Sequence, residues 1–191
     1  KDTAALMDVD EYYLMDKEAE TVPIGAERLL YLPYLMGERT PHLDPDARGV
    51  FFGLSAMHTK KHMLRAVMEG VAYSLRDCVE VFREMGINVS DMMACGGGGT
   101  SPLWRSMLAD LYGCEVKTPA SKEGPALGAA LLASVGAGIY GSVPEAVKAV
   151  VRTDKVCQPD SSRMERYDEF YSLYRDIYPA LKDSFSRLAT L

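Results

Sequence analysis

Four consecutive glycines, at positions 96–99, constrain the fold of this chain more than any other feature of its sequence. They follow residues 89–95, which we interpret as a strand, and they lead into a helix predicted over residues 101–112. Ser101 is a favourable N-cap and Pro102 a favourable first helical residue. Because glycines lack side chains, their backbone N–H groups approach an anion closely, and the start of a helix attracts the same negative charge. The segment is therefore typical of a phosphate-binding turn in an α/β protein.

The turn matches neither common nucleotide-binding motif. No Lys followed by Ser or Thr stands at the spacing of a Walker loop, and the glycines fit G-x-G-x-x-G poorly. A crowded turn without a ligand therefore remains the alternative to a phosphate site. Trp104 and Arg105 lie in the first turns of the helix, where an aromatic face or a guanidinium could meet a nucleotide, although core packing explains Trp104 equally well.

Strands and helices alternate on both sides of the glycine turn. Apolar residues recur at three- and four-residue steps over residues 59–85, which predicts the clearest helix of the chain. The short apolar runs 29–35 and 49–54 favour buried strands, residues 114–117 a further strand, and residues 124–135 a helix. This alternation indicates an α/β fold in which helices pack on a small mixed sheet.

Helices are also predicted near both ends of the chain. Residues 9–18 fit one short helix and residues 144–151 another. The long segment 162–188 carries a tyrosine-rich apolar stripe, and its first residue, Ser162, has capping-box spacing to Glu165. Pro179 lies inside this segment, and we expect it to kink the helix.

Length and composition set the domain organisation. With 191 residues, 48% of them apolar and 25% charged, the chain has the size and composition of one folded domain with an appendage. We divide it into a linking segment with a short helix (1–28), a main domain that carries the glycine turn (29–155) and a C-terminal helix packed on that domain (156–191). Because the sequence opens on Lys1, within an amphipathic segment, we interpret it as part of a longer protein.

Charge and hydropathy argue against several function classes. The net charge is −6, and Lys and Arg are scattered among Asp and Glu, so no basic stripe indicates a nucleic-acid partner. No apolar stretch reaches the roughly 20 residues of a membrane span and no signal pattern opens the chain, so we predict a cytoplasmic protein without a membrane partner. The cysteines lie far apart, and no clustered histidines complete a metal site, which favours free thiols. They are Cys78, Cys95, Cys114 and Cys157.

Other small and polar residues are weaker candidates. Residues 126–133 give one helix a smooth surface for another backbone or a nucleotide ring, although close packing explains them better. Glu69 is expected to pair with Arg65, one helical turn before it. No role is assigned to His42, His58 or His62. The loop carboxylates are expected to be solvated; they are Glu38, Asp44 and Asp46.

Four ordered segments together resemble the C-terminal part of the FGGY carbohydrate kinases. They are residues 32–54, residues 49–69 with the spacing of the family's second signature, residues 95–116 and residues 124–133. The family belongs to the actin, Hsp70 and hexokinase ATPase superfamily, so the resemblance implies a truncated ribonuclease-H-like C-terminal domain. It also implies transfer of the ATP γ-phosphate to a pentulose, D-xylulose first, with gluconate, glycerol or ribulose as alternatives.

The resemblance also assigns residues to the ATP site. In such kinases two ribonuclease-H-like domains close on ATP, and the glycine turn of the second domain contacts the nucleotide. Gly97 and Gly98 would then approach the phosphates, and Gly99, Ser101 and Pro102 would lie near the ribose or adenine of ATP or ADP. The chain departs from the family at Gly99, where Ala is common, and at Pro102, whose side chain cannot hydrogen-bond to adenine.

The resemblance places the rest of the catalytic machinery outside this chain. The sugar site, the catalytic aspartate and two phosphate loops come from segments that precede this part of the family's fold. We therefore name no catalytic residue and no metal ligand, expect ATP and Mg²⁺ to act in the full-length enzyme, and expect the fragment alone to be inactive. An open sheet edge allows a homodimer, and a non-catalytic binding or assembly module of the same fold is the alternative to a kinase.

Overall fold

The computed structural model describes residues 6–121 and 124–191, which form an α/β fold of helices around two small sheets. The helices are α1 (Glu11–Glu20), α2 (Lys60–Glu84), α3 (Pro102–Tyr112), α4 (Gly124–Gly136), α5 (Val143–Val150) and α6 (Ser161–Leu188). The strands are β1 (Leu30–Leu32), β2 (Val50–Phe52), β3 (Asp91–Met93), β4 (Glu115–Pro119) and β5 (Thr153–Cys157), and a 3₁₀ turn covers Gly98–Thr100.

A three-stranded mixed sheet carries the glycine turn. β3 pairs in parallel with β4, with Asp91 opposite Glu115, and β5 pairs antiparallel with the other side of β4, with Val116 opposite Cys157. β1 and β2 form a separate antiparallel pair. The strands predicted from the sequence are thus confirmed, β1, β2 and β3 in shorter form and β4 shifted toward its carboxyl end. β5 is an addition that the sequence did not predict, because four of its five residues are exposed and it has no apolar face.

α2 packs against β1 at very short range. A Cβ atom on Gly70 would lie 2.1 Å from the carbonyl oxygen of Tyr31, so only glycine permits this contact. Thr59 precedes the helix and donates its N–H to Nδ1 of His62 (3.0 Å), and Gly86 follows the helix in the left-handed region, with φ of 79°. The limits of this helix are therefore those predicted from the sequence.

A buried ion pair joins α2 to the segment before β1. Nε of Arg65 donates to Oε1 of Glu69 (2.6 Å), and both side chains are almost fully buried. The Glu69 carboxylate also accepts the N–H of Gly25 (3.0 Å), and Nη2 of Arg65 donates to the hydroxyl of Tyr167 on α6 (2.8 Å). The predicted pairing of Glu69 with Arg65 is confirmed, and it links three separate parts of the chain.

α6 closes the core with tyrosines that hydrogen-bond to other elements. The hydroxyls of Tyr174 and Tyr34 lie 3.0 Å apart, and the hydroxyl of Tyr178 donates to Oδ2 of Asp44 (2.7 Å). Asp44 is only 8% exposed, which corrects the expectation of a solvated loop at this position. The correction has a physical reason: Tyr178 and the N–H of Asp46 (2.8 Å) both donate to the carboxylate, so it is buried without losing its hydrogen bonds.

The start of α6 corrects a second expectation. The helix begins at Ser161, and Asp160 is its N-cap, with Oδ1 accepting the N–H of Ser162 (3.0 Å). The predicted capping box of Ser162 with Glu165 is therefore wrong, because a carboxylate one position earlier already serves the free N–H groups of the first turn. The helix then continues through Pro179.

α4 and α5 pack against each other. α4 is the most apolar helix, yet Leu131 is its one buried residue among those described. Ser142 caps α5, with Oγ accepting the N–H of Glu145 (3.4 Å). In the described ranges, no helix combines the length and the apolar character that crossing a membrane requires.

Candidate functional site

The glycine turn connects β3 to α3 at the carboxyl edge of the two parallel strands. Gly96 has φ of 76°, in the left-handed region that favours glycine, and the 3₁₀ turn follows it. Oγ of Ser101 then accepts the N–H of Trp104 (3.0 Å), and Gly113 ends α3 with φ of 62°. The predicted start and stop of this helix are confirmed. The turn lies at the sheet edge where open α/β sheets bind ligands.

The turn satisfies only some of its own backbone donors. The N–H groups of residues 99–101 each donate to the carbonyl three residues earlier, at 3.1 to 3.2 Å. The N–H groups of Gly96, Gly97 and Gly98 donate to no other residue within 6–121 and 124–191. Three successive donors without acceptors, directly before a helix, form an arrangement that binds anions such as phosphate.

A cavity of about 470 Å³ opens beside the turn. Its walls are the turn, residues 118–121 at and after the end of β4, and Asp154 and Lys155 of β5. This volume lies within the range of about 300–1,000 Å³ that small-molecule sites occupy. Apolar atoms of Ala94 and Pro119 also line it, so the cavity offers both a polar and an apolar surface to a ligand.

Of the residues that the structure describes, two cations and one carboxylate line this cavity. Arg105 reaches it from α3 with a side chain that is 7% exposed, and its Nη1 donates to the carbonyl oxygen of Gly99 (2.6 Å). Lys155 and Asp154 face it from β5. The positive charge therefore exceeds the negative charge by one in a chain whose net charge is −6, which favours an anionic ligand at this place.

The five residues assigned to the nucleotide lie in different surroundings. Gly97 and Gly99 line the cavity. A Cβ atom on Gly98 would lie 3.4 Å from Nε1 of Trp104, so Gly98 lies against the indole ring. Ser101 serves as the N-cap of α3, and Pro102 faces a second depression, of about 330 Å³, between α3 and α6. Contact of all five with one nucleotide stays a prediction.

Gly99 has a structural requirement of its own. A Cβ atom there would lie 2.5 Å from the carbonyl oxygen of Ala94, the residue that leaves β3. Ala94 is itself held by β4, because its N–H donates to the carbonyl oxygen of Lys117 (2.8 Å). Gly99, where Ala is common in the family that the chain resembles, thus lies at a point where the turn is too close to Ala94 for a side chain.

Asp154 and Lys155 are the site residues that sequence reasoning missed. They lie on β5, a polar strand that has no apolar periodicity and pairs with a β4 that precedes it by more than 30 residues. The local signals are Thr153 and Val156, whose β-branched side chains favour a strand only weakly.

The other candidates have structural roles or none. His42 stacks on Tyr178, with ring centroids 3.7 Å apart, and His62 is occupied at the start of α2. All four cysteines are free thiols. The described ranges contain no group of three or more His, Cys, Asp or Glu residues that could hold a metal ion. None of the α4 residues in the described part of the chain lines the cavity beside the turn.

Comparison with known proteins identifies relatives of this fold. The C-terminal domain of the FGGY family of carbohydrate kinases matches residues 2–137. A xylulose kinase from Bacillus subtilis (strain 168) is 41% identical over 164 residues, which cover 86% of this chain and 33% of that protein. The family match and the sequence similarity to the xylulose kinase therefore each cover most of the chain.

Solved structures resemble the chain over the same extent. The ligand-bound xylulose kinase from Lactobacillus acidophilus superposes with a TM-score of 0.84 at 32% identity, covering 91% of this chain and 35% of that one. The gluconate kinase from Lactobacillus acidophilus superposes with a TM-score of 0.82, also at 32% identity and with the same coverage of 91% and 35%. The chain thus spans about a third of the length of the relatives it matches.

Proposed function

The chain belongs to the FGGY family of carbohydrate kinases, whose C-terminal domain it contains, and we propose that it is the ATP-binding part of an enzyme that phosphorylates a pentulose, D-xylulose. Gly97 and Gly98 would lie nearest the phosphates, and Gly99, Ser101 and Pro102 nearest the ribose or adenine. The rest of the enzyme would supply the sugar site and the catalytic base, so the chain alone would not transfer phosphate.

One observation carries the nucleotide proposal: three successive glycine N–H groups have no acceptor in the described chain. The three glycines are exposed, so their N–H groups are open to solvent and available to an external acceptor such as a phosphate oxygen. The adjoining cavity has an excess positive charge from Arg105 and Lys155. Phosphate oxygens would satisfy the donors and offset the charge at once.

The sugar is inferred from the relatives rather than from this cavity. The proteins of similar sequence and structure include xylulose kinases, which supports D-xylulose as the acceptor. Gluconate is the second candidate, because a gluconate kinase structure superposes on the chain almost as well as a xylulose kinase structure does. Both acceptors are compatible with the same nucleotide half-site.

Mg²⁺ would enter with the nucleotide. Asp154 is the one carboxylate that lines the cavity within the described ranges, and Mg²⁺ in nucleotide sites keeps most of its ligands from phosphate and water. A single carboxylate does not make a metal site without the phosphates. We therefore assign no metal ligand in this chain and route no chemical step through the ion.

Titration of the chain with ADP tests the nucleotide proposal directly. Trp104 is the single tryptophan of the chain and lies against Gly98, so its indole N–H resonance in ¹H–¹⁵N spectra reports on the turn. We expect saturable shifts of this resonance and of the backbone resonances of Gly96, Gly97 and Gly98. The variant Gly97→Ala should lose most of the response, because its methyl group would occupy the space a ligand needs.

Gly97→Ala is informative because it should leave the free protein intact. No atom lies within 4 Å of a Cβ placed on Gly97, and its φ of −59° suits alanine. Gly136→Ala, at the far end of α4 with equally open surroundings, is the matched control and should bind ADP as the parent chain does. An unchanged ADP response in Gly97→Ala, or no response of the parent chain at millimolar ADP, would exclude the turn as the nucleotide site.

A further inference from the structure

Arg105 is the buried cation of the glycine-turn cavity. It lies one turn into α3, 7% exposed, and donates from Nη1 to the carbonyl oxygen of Gly99 at 2.6 Å. Arg105 lines the same cavity as Gly96 and Gly97, whose N–H groups have no acceptor among the described residues. Its charge acts at short range on whatever the free donors bind.

Arg105 forms no ion pair with any carboxylate in the described part of the chain. The other buried arginine, Arg65, pairs with Glu69, and Arg163 pairs with Asp110 (2.7 Å). None of the ion pairs among residues 6–121 and 124–191 includes Arg105. A buried charge without a partner is unfavourable, so we expect a ligand to supply the charge that pairs with Arg105.

The surroundings of the cavity leave this charge uncompensated. Asp154 and Lys155 both line the wall contributed by β5, and their charges offset each other to first approximation. The Cys157 thiol at the end of β5 is neutral at pH 7, since burial raises its pKa. Among the described residues that line the cavity, the net charge is therefore that of the Arg105 guanidinium.

We propose that Arg105 is a specificity-determining residue that makes the glycine-turn cavity select phosphorylated nucleotides over neutral nucleosides. The inference rests on the proposed nucleotide site and adds the ligand's charge as the recognised feature. The N–H groups of residues 96–98 accept any well-placed oxygen, whereas the guanidinium distinguishes an anion from a neutral group. Arginine suits this task because its charge persists at every physiological pH and its planar N–H groups match phosphate oxygens.

The test compares ADP with adenosine on the whole chain. Affinities are measured from the Trp104 indole resonance for the parent chain, Arg105→Gln and Arg105→Lys. Arg105→Gln keeps an N–H donor but removes the charge, so we expect ADP affinity to fall by about tenfold or more while adenosine affinity changes less than about twofold. Arg105→Lys keeps the charge and should retain most of the preference for ADP.

The outcomes separate this inference from the proposed function. If the parent chain binds neither ligand, the nucleotide site is wrong and the role of Arg105 falls with it. If the parent chain binds ADP and Arg105→Gln weakens ADP and adenosine by the same factor, Arg105 is structural and only this inference is overturned. If Arg105→Gln does not fold, Arg105→Lys decides alone: a preserved ADP-to-adenosine ratio supports the inference, and a lost ratio contradicts it.

Discussion

Two sides of this molecule differ in how far their polar groups are paired within the chain. On the side of α2 and α6, Glu69 pairs with Arg65, the Tyr171 hydroxyl donates to Asp77 (2.7 Å), and Tyr178 donates to Asp44. On the side of the mixed sheet, three glycine N–H groups have no acceptor in the described chain, and Arg105 has no carboxylate partner there. On the first side these charged groups are paired within the chain, although the hydroxyl of Tyr73 is buried there without a partner among the described residues. On the second side the donors and the guanidinium remain available to a ligand.

This difference separates stability from ligand binding. Polar groups that are buried and paired within the chain contribute to folding, and removing one partner leaves the other unsatisfied. Donors left free at an open cavity contribute little to folding but are available to a ligand. Substitutions on the α2–α6 side should therefore change stability and leave ADP binding intact, whereas Gly97→Ala should show the reverse.

The largest effect is expected for Glu69→Ala. It leaves the buried Arg65 guanidinium without its counter-charge and the N–H of Gly25 without its acceptor, so we expect the free energy of unfolding to fall by about 3–5 kcal/mol. Urea unfolding followed by circular dichroism at pH 7 measures the loss. Chains that remain folded should bind ADP with parental affinity.

Two matched variants sharpen the Glu69 result. Glu20→Ala breaks an exposed ion pair with Lys17 (2.8 Å) and should cost less than about 1 kcal/mol. Arg65→Met combined with Glu69→Leu removes both charges and should recover much of the lost stability. Equal losses for Glu20→Ala and Glu69→Ala would contradict the distinction between the buried pair and the exposed one.

Ser101 lies at the boundary between the two sides, and its substitution by alanine should have a smaller effect. Its Oγ accepts the N–H of Trp104, so alanine should destabilise the chain by about 1 kcal/mol, the usual cost of a lost N-cap. Ser101→Asn provides another cap and should restore the urea midpoint. Should Ser101→Asn remain as unstable as Ser101→Ala, the hydroxyl has a contact beyond the cap.

The sequence predicted the elements that local chemistry determines. The strand, glycine turn and capped helix around residues 96–101 follow from turn and capping preferences, and α2 follows from its periodicity. β5 could not be predicted in the same way, because its residues are polar and its strand character depends on pairing with β4, which lies far away in the sequence. Asp154 and Lys155, the cavity residues on that strand, were missed for the same reason.

Burial of individual polar residues was equally hard to predict from the sequence. Asp44 lies in a loop rich in turn-forming residues, where a solvated carboxylate is the usual outcome. Its burial depends on Tyr178, more than 130 residues later in the chain, whose hydroxyl reaches it only after α6 packs on the core. Residues 97 and 99 at the cavity were indicated by the local motif, whereas Asp44 required knowledge of a distant partner.

The effect expected for Tyr178→Phe is of the same size as that for Ser101→Ala, and its pH dependence provides the test. The Tyr178 hydroxyl is the main cause that holds the pKa of the Asp44 carboxyl below its usual value. A pKa that is lowered by folding contributes stability above the unfolded value of about 3.9, and this contribution is lost as the pH falls through the folded pKa.

Tyr178→Phe should therefore lower the unfolding free energy by about 1 kcal/mol at pH 7, and the difference from the parent chain should shrink as the pH falls below about 3.9. Urea unfolding across this pH range measures the difference. Tyr12→Phe, on a tyrosine that is 70% exposed, is the control and should follow the parent chain at every pH. If the Tyr178→Phe difference stays constant down to the lowest pH, the ionised Asp44 carboxylate is not what the hydroxyl stabilises, and the α2–α6 side owes its stability to packing rather than to paired polar groups.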